Sequence, residues 1–240
     1  MRHLETEHAD TEQRRYAYDF DYRMHGYMLR AFAPMPAGHA LELGCHHGEF
    51  TKRLLLAFES VTVVEGAADS IDIARANVGD IVTFVHARFE EFAPTRRYDA
   101  IFLIHTLEHL DDPQRILAAI RSWLAPGGQL YVAVPNAYAA SRQIAVEMGL
   151  VTSPTAVTDG EYAHGHRRTY DLAALRAEIQ AAGLTETKSG GVFFKPFANY
   201  QFDQLIASGI VTDEYLEGCY ALGARYPDLC ASIYVICGRV

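Results

Sequence analysis

The sequence has few cysteines, and none of them lies in a pattern that binds metal or marks a disulfide scaffold. The four cysteines, Cys45, Cys219, Cys230 and Cys237, form no CxxC pair and no zinc spacing. Their even number leaves disulfides open, but a chain of 240 residues, half of them hydrophobic, can bury a core without them. No secretory signal is visible ahead of them, so we predict reduced, buried cysteines in a cytoplasmic protein.

Long apolar runs and an excess of positive charge are also missing. No run approaches the ~18 apolar residues of a membrane span, so we expect no membrane partner. Lys and Arg number 21 against 30 Asp and Glu, which gives a net charge of -9 with His neutral. Proteins that bind phosphate backbones usually carry a basic surface, so we do not expect a nucleic-acid partner. Arg167 and Arg168 could still form a local basic patch.

From His39 onward, short apolar runs alternate with helical patterns. The runs that predict buried strands are HALELG (39–44), VTVVEG (61–66), IVTFVHA (81–87), YDAIFLIHT (98–106) and QLYVAVPN (129–136). The helical patterns between them cover residues 48–58, 67–78 and 112–128. This order predicts an α/β fold with a doubly wound, mostly parallel sheet covered on both faces. Ligands of such sheets bind beyond the carboxyl ends of the strands.

The remaining sequence predicts additions to a single domain rather than a second one. Residues 1–15 are polar and predict a mobile start, and Tyr16 to Phe32 predict a helix. Two further strands are expected at 185–197 and 231–240, with helices at 137–150, 171–184 and within 198–228. We expect a helical lid (1–38), a cofactor-binding core (39–136), and insertions that shape the substrate pocket (137–170 and 195–228).

The first strand ends in a glycine loop that predicts a nucleotide-type site. Gly44 and Gly48 let the backbone turn sharply and approach a ligand, although a tight strand-to-helix turn would use them equally well. The second strand ends in Glu65 and Gly66, 21 residues beyond Gly44. A carboxylate at that place can accept both hydroxyls of a ribose.

Glu42 separates two kinds of cofactor. It is a carboxylate within the apolar strand LELG, and burying it is costly unless it is paired. A pyrophosphate would be repelled there, whereas the ammonium and sulfonium groups of S-adenosylmethionine would be attracted. The glycine spacing also departs from GxGxxG, which disfavours a nicotinamide enzyme.

Five motifs in order, LELGCHHGEF, VVEG, RFEEF, YDAIFLIHTLEHLDDP and LAPGGQLYVAVPN, resemble those of class I S-adenosylmethionine-dependent methyltransferases. The segments VPNAYAASRQIAVEMGL, HGHRRTYD and GGVFFKPF are similar to a bacterial subgroup that modifies small molecules and sugars, often in natural-product pathways. The resemblance implies seven strands with the last antiparallel, and S-adenosylmethionine as cofactor.

The resemblance also implies roles for individual residues. The methionine part of the cofactor would contact Glu42, Gly44, Cys45 and Gly48, and Glu65 would hold the ribose. Arg88, Phe89 and Glu90 would flank the adenine, although Phe89 could instead be a core residue. His105 and Leu107 would close over the cofactor. Apart from the resemblance, the aromatic ring and polar tip of Tyr18 suggest a further cofactor contact, with core or dimer packing as the alternative. The family usually has Gly where His46 stands, which puts the loop geometry in question.

The acceptor chemistry is expected to involve histidines. A hydroxyl acceptor needs a base, and imidazole titrates near neutral pH. His166 is our candidate base, with His164 and His105 as further catalytic candidates; His109 would either join them or brace the next helix. Tyr22, Asn136, Arg167 and Arg168 are predicted to contact the substrate, and Lys195 could reach it. A metal site at Asp159, His164 and His166 is an alternative that we do not favour, since the sequence shows no matched further ligands.

Three functions follow from these patterns. The first is methyl transfer from S-adenosylmethionine to oxygen, or less readily nitrogen, of a small polar metabolite, by a monomer or homodimer. The second is an NAD(P)-dependent oxidoreductase. The third is a methyltransferase-like binding protein without catalysis. VPNAY differs from the NPPY-type motif, which argues against DNA N-methylation.

Overall fold

The computed structural model describes residues 18–239, so Tyr16 and the predicted mobile start lie outside the described residues. Seven strands form one sheet: β1 (His39–Leu43), β2 (Ser60–Glu65), β3 (Thr83–His86), β4 (Tyr98–Ile104), β5 (Leu124–Pro135), β6 (Thr185–Phe194) and β7 (Cys230–Gly238). The helices are α1 (Asp19–Phe32), α2 (Glu49–Leu54), α3 (Ala68–Val78), α4 (Pro113–Trp123), α5 (Ala140–Glu147), α6 (Asp159–Ala163), α7 (Leu172–Ala181), α8 (Asn199–Ala207) and α9 (Asp213–Gly223). Short 3-10 turns cover Leu107–His109 and Pro227–Leu229.

The strand order is β3-β2-β1-β4-β5-β7-β6. Strands β1 to β5 pair in parallel, and β7 runs antiparallel to both β5 and β6. The predicted seven-stranded doubly wound sheet is therefore confirmed. The order reverses between β1 and β4, and such a reversal opens a crevice at the carboxyl ends of the strands.

The sheet separates two apolar layers, because successive side chains of a strand point to opposite faces. Phe102 of β4 and Tyr131 of β5 stack in one layer with ring centroids 4.8 Å apart. Ile101 and Val132 lie in the other layer, against α4 and α7. All four cysteines are buried and unpaired, as predicted.

Helix α1 belongs to this core as well as to the rim of the crevice. Its buried residues Phe20, Met24, Met28 and Phe32 recur every four positions, which places them on one face. Phe20 stacks on Phe202 of α8 with centroids 4.3 Å apart. The side of the crevice near α1 is thus built by residues far apart in the sequence.

The predicted end of helix α4 was wrong. Helix α4 begins as predicted, with Pro113 in its first turn and the Asp112 carboxylate accepting from the Arg115 amide at 3.1 Å. It ends at Trp123 and not at Gly128, since Pro126 lacks an amide hydrogen and Gly127 has φ +77°. Residues from Leu124 onward instead start β5. No helix in the described residues is long and apolar enough to span a bilayer.

Candidate functional site

A cavity of about 540 Å³ lies at the carboxyl ends of β1, β2 and β4. We call the part around Glu42, Gly44 and Glu65 the loop side, and the part around His105, His166 and Lys195 the histidine side. Most of the predicted site residues line this one cavity: Tyr22, Glu42, Gly44, Cys45, Glu65, Gly66, Arg88, Phe89, Glu90, His105, Asn136, His164 and His166.

The glycine loop on the loop side is held in a left-handed conformation. Gly44 has φ +81°, and a Cβ atom there would lie 3.0 Å from the Thr106 hydroxyl oxygen. His46 has φ +47° although it is not glycine, and its ring stacks on His47 at 3.8 Å. His46 therefore has a backbone conformation that glycine adopts easily, and this places some strain on the histidine.

Glu65 fixes the loop from the end of β2. Its carboxylate accepts hydrogen bonds from the amides of Gly66 (2.8 Å), Ala67 (3.0 Å) and Cys45 (3.1 Å). One side chain thus links the turn after β2 to the loop after β1. It also lines the cavity, where further lone pairs can accept from a ligand.

Glu42 is buried in the wall of the same side, with 2% of its surface exposed. The Thr51 hydroxyl donates to its carboxyl at 2.6 Å. The pKa of Glu42 is raised to about 8, chiefly by burial, with the Thr51 hydrogen bond lowering it and the nearby Glu65 raising it. A cationic ligand would remove this penalty, which agrees with the argument made from the sequence.

The histidine side carries imidazoles that are neutral near pH 7. Burial lowers the pKa of His105 to about 3, and that of His25 and His166 to about 4. His105 also has φ +47°, and its Nε2 lies 2.9 Å from the Ser232 hydroxyl. Neutral imidazoles can accept a proton or bind a metal ion.

A compact cluster of three potential ligands lies on this side. Glu108, His109 and His166 each offer one atom, and these atoms lie within 4.8 Å of one another. The alternative set with Asp159 and His164 is not formed among the described residues, because Asp159 is exposed and does not line the cavity. The sequence analysis considered His166 and His109 separately and did not predict that they are in contact. This contact joins the turn after β4 to the loop after α6.

Helices α1 and α8 contribute polar groups that the sequence analysis missed. Lys195 Nζ donates to Asn199 at 2.7 Å, and Asn199 donates to the Asp21 carboxylate at 2.7 Å. Burial lowers the pKa of Lys195 and raises that of Asp21. Neither Asp21 nor His25 belongs to a motif, so only the packing of α1 against the crevice reveals them.

Two predicted cofactor contacts do not line the cavity because they pack elsewhere. Leu107 is fully buried in the apolar layer on the α4 side of the sheet. Gly48 has φ +78°, and a Cβ atom there would lie 3.2 Å from the Ala74 side chain. In the structure it thus allows a close approach of α2 to α3.

Three further predicted residues also lie outside the cavity wall. Tyr18 precedes α1, where its amide donates to Asp21 at 2.9 Å. Arg167 forms an ion pair with Asp111 at 3.4 Å, and Arg168 donates to the carbonyl oxygens of Leu110 (2.9 Å) and Asp111 (3.1 Å). The two arginines brace the loop after β4, and this explains why they do not reach the cavity.

Asn136 and Arg142 line the cavity but are largely engaged within the protein. The Asn136 amide donates to the carbonyls of Asp228 (2.8 Å) and Cys230 (2.9 Å). Arg142 of α5 donates to Glu161 at 2.5 Å and also to carbonyls of the 154–156 segment. These bonds fasten the insertion carrying His164 and His166 over the end of the sheet.

Comparisons with known proteins agree with this geometry. The family model described as "Methyltransferase domain" matches residues 13–189. The ubiquinone biosynthesis O-methyltransferase of Xanthomonas axonopodis pv. citri is 28% identical over 170 residues, which cover 68% of this chain and 70% of that protein.

Solved structures share the fold. A possible histamine N-methyltransferase of Thermotoga maritima aligns with a TM-score of 0.65 and 17% identity, covering 98% of this chain and 100% of that one. The N-methyltransferase NodS of Bradyrhizobium japonicum WM9, in complex with S-adenosylhomocysteine, aligns with a TM-score of 0.57 and 15% identity, covering 92% and 87%. At these identities the likeness concerns the fold alone.

Proposed function

Because this chain belongs to the class I S-adenosylmethionine-dependent methyltransferases, we propose that it transfers the methyl group to a hydroxyl oxygen of a small polar metabolite. The family match covers 177 of 240 residues and removes the nicotinamide alternative. Methyl transfer from a sulfonium is an in-line displacement, so the protein chiefly aligns the acceptor and removes its proton.

The loop side would hold the cofactor. Glu65 is fixed by three backbone amides and faces the cavity, which suits a carboxylate that accepts the ribose hydroxyls. Glu42 carries a buried carboxyl that a cation would stabilise, which suits the ammonium of the methionine part. Arg88, Phe89 and Glu90 line the cavity near the end of β3 and would flank the adenine.

The single observation that carries the oxygen acceptor is the group of neutral imidazoles on the histidine side. Ionisation of a hydroxyl requires a proton acceptor, and His166 lines the cavity as an imidazole that burial, by lowering its pKa, keeps neutral near pH 7. His105 and His164 stand on the same wall. The name of the Xanthomonas relative also records an O-methyltransferase, which supports oxygen over nitrogen.

The size and lining of the cavity favour a small acceptor. About 540 Å³ has to contain the cofactor as well as the acceptor, so a sugar or natural-product intermediate suits it better than a polymer. Tyr22, Asn136, Lys195 and Ser232 provide polar contacts on the histidine side. The net charge of -9 supports a protein without a nucleic-acid partner, and the buried free cysteines suit the reducing cytoplasm.

The test is transfer of a radiolabelled methyl group from S-adenosylmethionine to a panel of hydroxylated metabolites and their amine analogues. We expect hydroxyl compounds to be labelled and the rate to fall about 100-fold or more in His166→Ala. The control is His39→Ala, since His39 lies at the amino end of β1, away from the cavity at the carboxyl ends of the strands. Labelling of the amines alone, or an unchanged rate in His166→Ala, would overturn the proposal.

A further inference from the structure

The cluster of Glu108, His109 and His166 has the chemistry of a metal centre. It offers one carboxylate and two imidazoles, the donor set found at open sites of zinc and non-haem iron. The Glu108 Oε1 atom lies 4.0 Å from His109 Nε2, and the rings of His109 and His166 have centroids 4.6 Å apart at an angle of 75°. All three residues line the same cavity.

Glu108 supplies an independent sign that a cation belongs there. Only 1% of its surface is exposed, and among the described residues neither carboxyl oxygen has a hydrogen-bond partner. Most buried carboxylates are paired or bind metals, because an unpaired one costs several kcal/mol. Glu42, the other buried glutamate of residues 18–239, does have such a partner in Thr51. The contrast singles out Glu108.

The main chain already holds two of these residues in place. The Arg167 amide donates to the Glu108 carbonyl at 2.9 Å, and the His166 amide donates to the Glu161 carbonyl at 2.9 Å. A bound ion at about 2.0–2.2 Å from each ligand requires ligand atoms about 3.4 Å apart. The ligand atoms now lie within 4.8 Å of one another, so a bound ion requires them to approach by up to about 1.4 Å through side-chain rotation.

We propose that Glu108, His109 and His166 bind a divalent transition-metal ion of the zinc type, with an open coordination position facing the histidine side of the cavity. The binding itself does not depend on the proposed function, whereas its catalytic role does. With the ion bound, His166 would be a ligand and not the base, so the acceptor hydroxyl would occupy the open position and release its proton to water. Its oxygen would then attack the methyl carbon as the carbon–sulfur bond breaks, giving the methyl ether and S-adenosylhomocysteine.

The test uses Co²⁺ as a spectroscopic substitute for Zn²⁺, with tag-free protein stripped by a chelator. We expect one equivalent of Co²⁺ to produce visible d–d absorption, which Zn²⁺ abolishes by displacement. Glu108→Gln, His109→Ala and His166→Ala should each weaken Co²⁺ binding by about 100-fold or more. The control is His164→Ala, which removes an imidazole of the same wall outside the cluster and should leave the spectrum unchanged.

Circular dichroism checks that each variant is folded. If one of the three variants does not fold, the Co²⁺ affinities of the other two still test the site. Absence of the absorption in the wild type, or its persistence in His166→Ala, would overturn the site. Methyl transfer measured in parallel keeps the two proposals apart. Transfer by protein that binds no Co²⁺ would refute the metal centre alone, and Co²⁺ binding without any transfer to hydroxyls would refute the proposed function alone.

Discussion

Replacing Glu42 by Gln should remove a pH dependence of stability that burial of this carboxyl creates. In the ligand-free protein, burial raises the pKa of Glu42 from 4.5 to about 8. When the pKa of an acid is higher in the folded state than in the unfolded state, the group stabilises the folded state fully at pH values below its unfolded-state pKa. This stabilisation is lost as the pH rises through the folded-state pKa. The wild type should therefore lose stability between about pH 4.5 and pH 8.

The magnitude follows from the same two pKa values. They differ by about 3.5 pH units at about 1.4 kcal/mol each, which sets a ceiling of about 5 kcal/mol on the loss. Water drawn towards the ionised carboxylate recovers part of this, so we expect about 2 kcal/mol. Gln has nearly the same shape and its carbonyl can still accept from Thr51, so the variant should fold.

Urea unfolding of ligand-free protein at pH 5, 7 and 9 measures the effect, with chelator present to keep metal out. Between pH 5 and pH 9, the free energy of unfolding should fall by about 2 kcal/mol more in the wild type than in Glu42→Gln. Glu147→Gln, a change at an exposed residue of α5, serves as the matched control and should follow the wild type. Parallel pH profiles for wild type and Glu42→Gln would refute the reasoning.

The remaining predictions concern single residues. Gly44→Ala should weaken S-adenosylhomocysteine binding at least tenfold by calorimetry, because φ is +81° and the added Cβ meets the Thr106 hydroxyl at 3.0 Å; unchanged affinity contradicts this. Gly191→Ala should lower the free energy of unfolding by about 2 kcal/mol or more, since its Cβ would lie 2.4 Å from a carbonyl oxygen. In the same urea assay, Gly218→Ala on the open side of α9 should raise the free energy of unfolding by about 0.5–1 kcal/mol. A Gly191→Ala variant more stable than Gly218→Ala would contradict the packing described. His25, whose pKa burial lowers from 6.5 to about 4, stabilises fully above pH 6.5, and this contribution falls as the pH drops to 4; His25→Gln should flatten that loss, and an unchanged acid profile argues against it.

The parallel strands and the loop side were predictable because they depend on local patterns. Apolar runs of strand length ended in Gly44 and Glu65, and parallel strands bring such ends to one edge of a sheet. Glu42 was informative because a carboxylate in an apolar strand is unusual enough to need a ligand or a partner. These signals lie within a few residues of a strand end, so a linear sequence contains them.

The histidine side was less predictable because its residues come from distant segments. His166 meets His109 and Glu108 only after the insertion folds back over the turn that follows β4. Lys195 meets Asp21 through Asn199, and Asp21 is far from the other two residues in the chain. Gly48 is ambiguous in the sequence, since a glycine needed for helix packing has the same appearance there as one that faces a ligand.

The most direct test of the cofactor site is calorimetric titration of the purified protein with S-adenosylhomocysteine, with NADH titrated in parallel. We predict one site with a Kd on the order of micromolar or tighter for S-adenosylhomocysteine, and no binding of NADH. Glu65→Ala should abolish the signal, because it removes both the ribose acceptor and the anchor of the glycine loop. Failure to bind S-adenosylhomocysteine, or binding that survives in Glu65→Ala, would contradict the account of the site.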